Sequence, residues 1–354
     1  MKIHERYTIG RMLHGFLLVL FVLAVLFSLT SLLDELKDVG QGRYAWPDAF
    51  LFVAQTVPHR ILDLVPLAAL LGGILALGTM GDANELVAIR AMGVSAWRFA
   101  LTALKAGAVF TLGALLVAEF VAPPLQKSAD TRRTMAIHDT GALRVERGFW
   151  FRDGNRFVKV AQVLPGRRLA DVVIYEFDEE GRLRQRTRAS EAVVEDSGRW
   201  LLQGVRREIL AGDEIRFVDE ETAPWESSFG PAFVDLTLLA PESLSISDLF
   251  LYVQSMRERG QVDESYRLRL WRLLGLPLST GAMLLLAIPF TFALGGSSSG
   301  LRMALGCMVG AAGYALDRIG GHIGMLGGVS AVLTALAPGA IILVVAAILM
   351  RRVR

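Results

Sequence analysis

The chain has 354 residues, 53% of them hydrophobic, with a formal net charge of +2 and a mean hydropathy of +0.44. That balance excludes a nucleic-acid binder, which needs a basic surface with interleaved aromatics, and points to a membrane protein. A single cysteine, Cys307, excludes a disulfide within the chain.

Spanning a hydrocarbon core of roughly 30 Å takes about 20 mostly apolar residues. Met12–Leu33 is the first such run. It is too long for the apolar core of a signal peptide, and no small-residue cleavage site follows, so it reads as an uncleaved anchor. Leu64–Met80 is the second, preceded by a proline-containing stretch from Ala49, and Ala96–Val121 is the third. Beyond an island at 125–265 come Trp271–Leu294, Leu301–Ile323 and Ser330–Met350. The pattern predicts six transmembrane α-helices, 3+3, around an inserted domain: helices one to three in 1–124, the island with a connecting helix in 125–265, and helices four to six in 266–354. An inner-side N-terminus also places Lys2, Arg6, Arg11, Arg90, Arg98, Arg302, Arg351, Arg352 and Arg354 inside. The short outer loops then hold only Lys37 and Arg43, and the island lies outside.

The island alternates. Arg156–Val163, Asp171–Phe177, Gln185–Glu195 and Trp200–Ile209 read as strands, with turn signals at Glu180-Gly181, Ser197-Gly198 and Gly212-Asp213. Period-two patterning with short turns predicts an antiparallel sandwich, barrel or jelly roll. Such a domain either binds other proteins or opens along one side to take acyl chains, and its valines and leucines do not separate the two.

The inner loop from Gly81 to Gly93 predicts a coupling helix over 82–93, with Asp82 and Glu85 as a capping-box-like pair and Gly93 as the stop. Glu85 then either caps its own helix or, as favoured, belongs to a rigid peg. In the second reading Leu86, Val87, Ile89 and Met92 enter a groove on a soluble partner and Glu85 meets an arginine there. Glu85, Leu86, Ile89 and Arg90 are the candidate coupling residues.

Charged residues near a membrane point to function by default. Arg60 and Asp63, three apart, predict a local ion pair, and Lys105 snorkels inward. Asp317 and Arg318 lie about 16 residues into the fifth helix, roughly 24 Å along it, near the outer boundary. As adjacent helical residues they do not pair with each other. Lys37, Arg133, Arg267, Arg269 and Arg272 fall at the same height. Together they read as a collar for an anionic headgroup, with ordinary anchoring to lipid phosphates as the alternative. The fifth helix carries Gly306, Gly310, Gly313, Gly320, Gly321 and Gly324, suited to close packing or to a sliding seam. Pro58, Pro66, Pro277 and Pro289 predict bends. There is no Walker A sequence, no HExxH or His/Cys cluster and no G-x-S-x-G elbow. A lipid-acting enzyme therefore lacks its residues, and ATP hydrolysis has no place on this chain.

Several segments carry a family likeness: Leu33-Asp34-Glu35-Leu36-Lys37 with Gly40-Gln41-Gly42, Pro66 through Gly72, Glu85 through Gly93, Glu119 through Pro123, Gly148-Phe149-Trp150 with Asp153-Gly154-Asn155, Leu244 through Ser247, and Tyr314 through Asp317. In this order the chain resembles, over essentially its full length, the LptF/LptG lipopolysaccharide export permease family, with the LptG type favoured over its LptF paralogue. The resemblance implies six transmembrane helices with a periplasmic β-jelly roll, in the inner membrane of a Gram-negative bacterium. It implies a heterodimer with an LptF-like subunit and an LptB-type ATPase dimer that binds the ATP and Mg, no cofactor being expected on this chain. LptC and the periplasmic bridge protein LptA receive the lipopolysaccharide. Helices one and five line lateral gates, Glu85 matches the ATPase-contacting glutamate, Lys37 and Arg133 match basic substrate positions, and Tyr314 matches a cavity aromatic. Arg318, and Val65 on an apolar wall, complete the substrate-binding candidates. Ser31, Asp38 and Asp130 stand where basic residues are expected, which thins the collar. A mechanotransmitting subunit that moves no lipid is the alternative. Against it, bringing an acyl chain into water costs about 0.8 kcal/mol per CH₂, so an extracted lipid needs an apolar lining in the β-domain.

Overall fold

The computed structural model describes residues 3–94, 96–137, 149–164, 168–178, 180–195, 199–211, 214–227, 241–258, 264–293, 298–326 and 328–352. Six long helical rods flank the island. The first is α1 (Ile3–Glu35) and the second α2 (Trp46–Asp82). The stretch before the second predicted span is therefore not separate. Pro47 sits in the first turn and Asp48 accepts a hydrogen bond from the Ala45 N–H at 2.9 Å, so the helix starts there and runs through Pro58 and Pro66. After the short α3 (Glu85–Ala91) comes α4 (Ala96–Leu116), which continues through a π turn (Val117–Val121) into α5 (Ala122–Ile137). Beyond the sheet lie α6 (Ile246–Glu258), α7 (Glu264–Ala293), α8 (Ser299–Leu326) and α9 (Ala331–Arg352).

Five rods are long and apolar enough to cross a membrane: those beginning at Glu5, Trp46, Trp97, Glu264 and Ala331. The predicted fifth span, α8, falls short by composition because Arg302, Asp317, Arg318 and its glycines dilute it. It is nonetheless a 28-residue helix. Gly306 and Gly310 of α8 lie against Ile74 and Leu67 of α2, and Gly313 lies against Met283 of α7. These glycines serve tight packing inside the chain, not a loose seam. The same device sets the α1–α2 crossing, where a Cβ on Gly72 would stand 2.7 Å from the Phe16 backbone.

The island holds β1 (Phe149–Asp153), β2 (Arg156–Leu164), β3 (Arg168–Phe177), β4 (Leu183–Val194), β5 (Arg199–Ala211) and β6 (Glu214–Glu226), one antiparallel sheet in sequence order. Its ladders share a gap. Ala161, Asp171, Ser190, Gly204 and Glu221 lie on one line across β2 to β6, and none is paired, although their neighbours on both sides are. Asp171 and Gly204 are left-handed there, with φ of 51° and 61°. The register does not shift across the line, but the alternation of buried residues changes parity there: Val172 and Ile174 on one side and Leu169 on the other in β3, Val205 on one side and Trp200 and Leu202 on the other in β5. The sheet is creased and its two halves fold over one face. Phe151 of β1 reaches Trp200 of β5 at 5.9 Å, and the Ser227 hydroxyl donates to Asp153 at 3.0 Å. The predicted antiparallel β-domain is thus present, with a buried apolar interior made by one folded sheet. The turns at 197–198 and 212–213 and residue Gly148 lie outside the described residues.

The domain is anchored at its base. The Glu119 carboxylate, in the π turn, accepts the backbone N–H groups of Ile246 at 3.0 Å and Ser247 at 3.3 Å and also the Ser247 hydroxyl, which caps α6. The Ser243 hydroxyl donates to Asp130 of α5 at 2.9 Å.

Candidate functional site

At the helix ends nearest the island the predicted cations are present, but acids hold them. Arg133 of α5 donates to Glu35 at 2.9 Å and to Asp38 at 2.5 Å, and the Tyr44 hydroxyl also reaches Glu35 at 3.0 Å. Burial, and then the Glu35 carboxylate, raise the Tyr44 hydroxyl pKa above its ordinary value. Gly42 must be glycine because its Cβ position lies 2.4 Å from the Ile137 carbonyl oxygen. Lys37 stands outside this clamp, exposed and paired with Asp34 at 2.7 Å. A second clamp centres on Asp63 of α2, which takes Arg318 of α8 and, at 3.4 Å, Arg269 of α7. Arg318 also donates to the Tyr314 hydroxyl at 3.1 Å, and Arg272 donates to the Asp317 carbonyl at 2.9 Å. Arg267 pairs with Glu264 at 2.7 Å.

The collar is therefore close to charge-balanced, not a ring of free cations. The expected Arg60–Asp63 pair is replaced: Asp63 faces α7 and α8, while Arg60 donates to Thr56 at 3.3 Å. Lys105 does not merely snorkel but pairs with Glu5 at 3.6 Å. Glu35 and Asp63 are the residues that sequence reading missed as hubs, and a carboxylate near the end of an apolar span was the available signal. A small cavity of about 80 Å³ lies beside Asp63, Arg272, Tyr314 and Asp317, with Met283 and Ile342 among its apolar lining.

The short helix α3 between α2 and α4 differs from its expectation. It has seven residues. Asn84 turns the chain with φ of 58°, so Asp82 lies outside the helix and cannot cap it. The Asp82 carboxylate instead receives Arg302 of α8, at 2.6 and 2.5 Å. Glu85 caps nothing either: its oxygens accept the Tyr7 hydroxyl at 3.0 and 3.1 Å, with Arg11 at 3.6 Å. Leu86 and Ile89 are buried within the chain and anchor the helix, which corrects their expected place in a partner's groove. Val87 and Met92 are the exposed residues. Gly93 ends the turn at φ of 81°, as predicted, and the Arg90 side chain lies outside the described residues. Val65 is wholly buried in the helical core and lines no open wall.

A long bare apolar face belongs to α1. Leu17, Phe21, Val25, Leu29 and Leu33 are exposed, and the groove between α1 and α2, about 560 Å³, is lined by Phe21, Val25, Phe50 and Val57 among others. Phe27 at its edge meets Tyr314 of α8, with ring centroids 6.4 Å apart.

The family model described as "Lipopolysaccharide export system permease LptF/LptG" matches residues 6–352. The chain belongs to the LptF/LptG family. The lipopolysaccharide export system permease protein LptG of Haemophilus influenzae is 31% identical over 342 residues, 96% of each chain. Its namesake in Escherichia coli K12 is 30% identical over 339 residues, 95% of this chain and 94% of that one. The permease fold seen here, apolar helices around an inserted antiparallel sheet, agrees with that membership, and the chain is a multi-pass lipopolysaccharide export permease subunit. Two of the family-like segments meet in space: Glu119 of one caps the helix that opens at Ile246 of the other. Leu33 through Gly42 closes on the end of α5, where the Arg43 N–H reaches the Ala136 carbonyl at 2.7 Å.

Proposed function

We propose that this subunit extracts lipopolysaccharide from the outer leaflet of the inner membrane and passes it to a periplasmic protein bridge. Both termini are cytoplasmic and the β-domain is periplasmic in this reading. The partners are an LptF-like permease subunit, an LptB-type ATPase dimer that holds the ATP and Mg, and LptC and LptA on the periplasmic side. The observation that carries the proposal is the bare apolar face of α1, Leu17 to Leu33, lying below acid-held arginines at its outer end. An acyl chain matches the first and a phosphorylated sugar the second. Lys37, Arg133, Arg318 and Tyr314 are the proposed headgroup contacts. Arg133 and Arg318 become available only when a phosphate displaces Asp38 or Asp63, so the carboxylates hold the places of the substrate's anions. Val87 and Met92, with Glu85 once released from Tyr7, form the proposed ATPase-facing surface of α3.

The test is reconstitution of the chain with its permease partner and ATPase in lipopolysaccharide-containing vesicles, with a periplasmic acceptor supplied. ATP-dependent lipid release is expected. ATP turnover with no release would sink the proposal. Glu85→Lys should abolish release by adding a cation beside Arg11, and full release by that variant removes Glu85 from the coupling surface.

A further inference from the structure

The inner end of α8 is fastened to the root of α3 by one ion pair whose arginine is buried. Arg302 is 4% exposed, and its guanidinium lies along Gly78 of α2, whose Cβ position is 3.4 Å from Nε. Both Asp82 oxygens take its Nη2, at 2.6 and 2.5 Å. An arginine that merely anchors a helix end leaves its head in water or on lipid phosphate. This one is enclosed, so breaking its pairing would leave a buried charge. Asp82 is the last residue of α2, three before Glu85, the first of α3. Glu85 in turn is held by Tyr7 and Arg11 of α1. Four residues thus carry ionic ties to two helices that lie far apart in sequence.

We infer that Asp82 and Arg302 form a latch that joins α3 and the inner end of α8 into one mechanical unit, so that force on the exposed face of α3 moves α8 directly. The inference rests on the proposed function in that α3 receives its force from the ATPase. Arg302 and Asp82 are positioning residues here; neither touches lipid or nucleotide. The clasp of Glu85 on Tyr7 and Arg11 extends the unit to α1, and Glu85 is the end that a partner's cation can release. The Asp82 carboxylate is half-exposed, but releasing it would leave the covered Arg302 guanidinium buried and unpaired, so this end holds.

The experiment uses the full complex, with Cys307→Ser to remove the exposed native thiol. Spin labels are placed at Ala83→Cys, exposed at the turn into α3 and outside the proposed ATPase-facing surface, and at Met308→Cys, 69% exposed. The inter-label distance should stay the same with and without ATP, because the two sites travel together. In the Arg302→Met background the distribution should broaden and shift with ATP. Lipid release should fall at least tenfold while ATP turnover stays within twofold, and Arg302→Lys should retain both. Asp82→Asn, a near-isosteric change at the exposed partner, should reproduce the defect, and the double variant should be no worse than either single one. A distance that changes by several ångströms with ATP in the otherwise native complex overturns the latch. So do wild-type release and distance distribution in Arg302→Met, or losses that multiply in the double variant. If the native complex releases no lipid at all, the proposed export function falls, while the label distances still decide the latch.

Discussion

Substituting Gly204 probes the crease of the β-domain. Its φ of 61° is in the left-handed region, which costs an L residue roughly 1–2 kcal/mol. Its Cβ position is 2.2 Å from the Ser190 hydroxyl, which donates to the Gln203 carbonyl at 2.9 Å. A methyl group there must push the Ser190 side chain away, losing a hydrogen bond worth about 1 kcal/mol net. Gly204→Ala should therefore destabilise the domain by about 2–3 kcal/mol, and Gly204→Val by more because its branched side chain resists left-handed backbone. Ser190→Ala in the Gly204→Ala background removes the clash and leaves only the backbone term, so the second change should cost less there than in the native chain. For a domain of this size, 1 kcal/mol is about 4–8 °C, so a fall of roughly 10 °C is expected for Gly204→Ala. Thermal unfolding followed by tryptophan fluorescence is a suitable assay, because Trp200 is buried against Trp225 at 5.2 Å. A Gly204→Val protein with native melting would refute the crease as a strained, glycine-dependent fold line.

Glu119→Ala removes the acceptor of three hydrogen bonds at the start of α6, a loss of about 1–2 kcal/mol. Hydrogen exchange of the Ile246 and Ser247 amides should rise about tenfold or more, whereas unchanged protection would show that water replaces the carboxylate at no cost. Asp38→Asn frees half of the Arg133 guanidinium, so binding of lipopolysaccharide at low salt should strengthen several-fold; affinity equal to the native chain's would remove Arg133 from the headgroup contacts. Three β-domain carboxyls sit below their ordinary range: Asp178 through the Arg182 backbone N–H, Glu191 through Arg168, and Asp219 through Arg206. A depressed folded pKa adds stability above the unfolded value that is lost as pH falls through the folded one. The domain should therefore melt earlier as pH drops below the ordinary carboxylate range, by an amount that salt reduces. A melting temperature flat across that window would contradict these pairings.

The spans and the β-character of the island were legible because both depend on local periodicity, which the sequence displays directly. What was not legible involves partners far apart in the chain. Asp63 looked like the local mate of Arg60, yet it serves Arg269 and Arg318, more than two hundred residues away. Asp82 and Glu85 had capping-box spacing, but a left-handed Asn84 between them moved the helix start and gave both carboxylates to other helices. The apolar residues of α3 were all aimed at a partner, but a short amphipathic helix has an apolar side for the body below as well, and only burial separates Leu86 from Val87. The crease left a trace that was readable in principle, since the apolar alternation changes parity at Asp171 and again at Gly204.

The hydrogen bond between Ser243 and Asp130 spans 113 residues in sequence and 2.9 Å in space. The island leaves the third helical rod and comes back to the same rod, so its two ends form a single stem. A unit mounted in this way is a cassette: its ends can be rejoined by a short linker or grafted with a relative's sheet without moving the helices beneath. The return end also leans on a second rod: Glu119 and Asp130 of the first hold its start, and Tyr252 stacks on Tyr266 of α7 at 4.3 Å. Any rotation of the 41-residue rod Trp97–Ile137 against α7 therefore works on the stem itself.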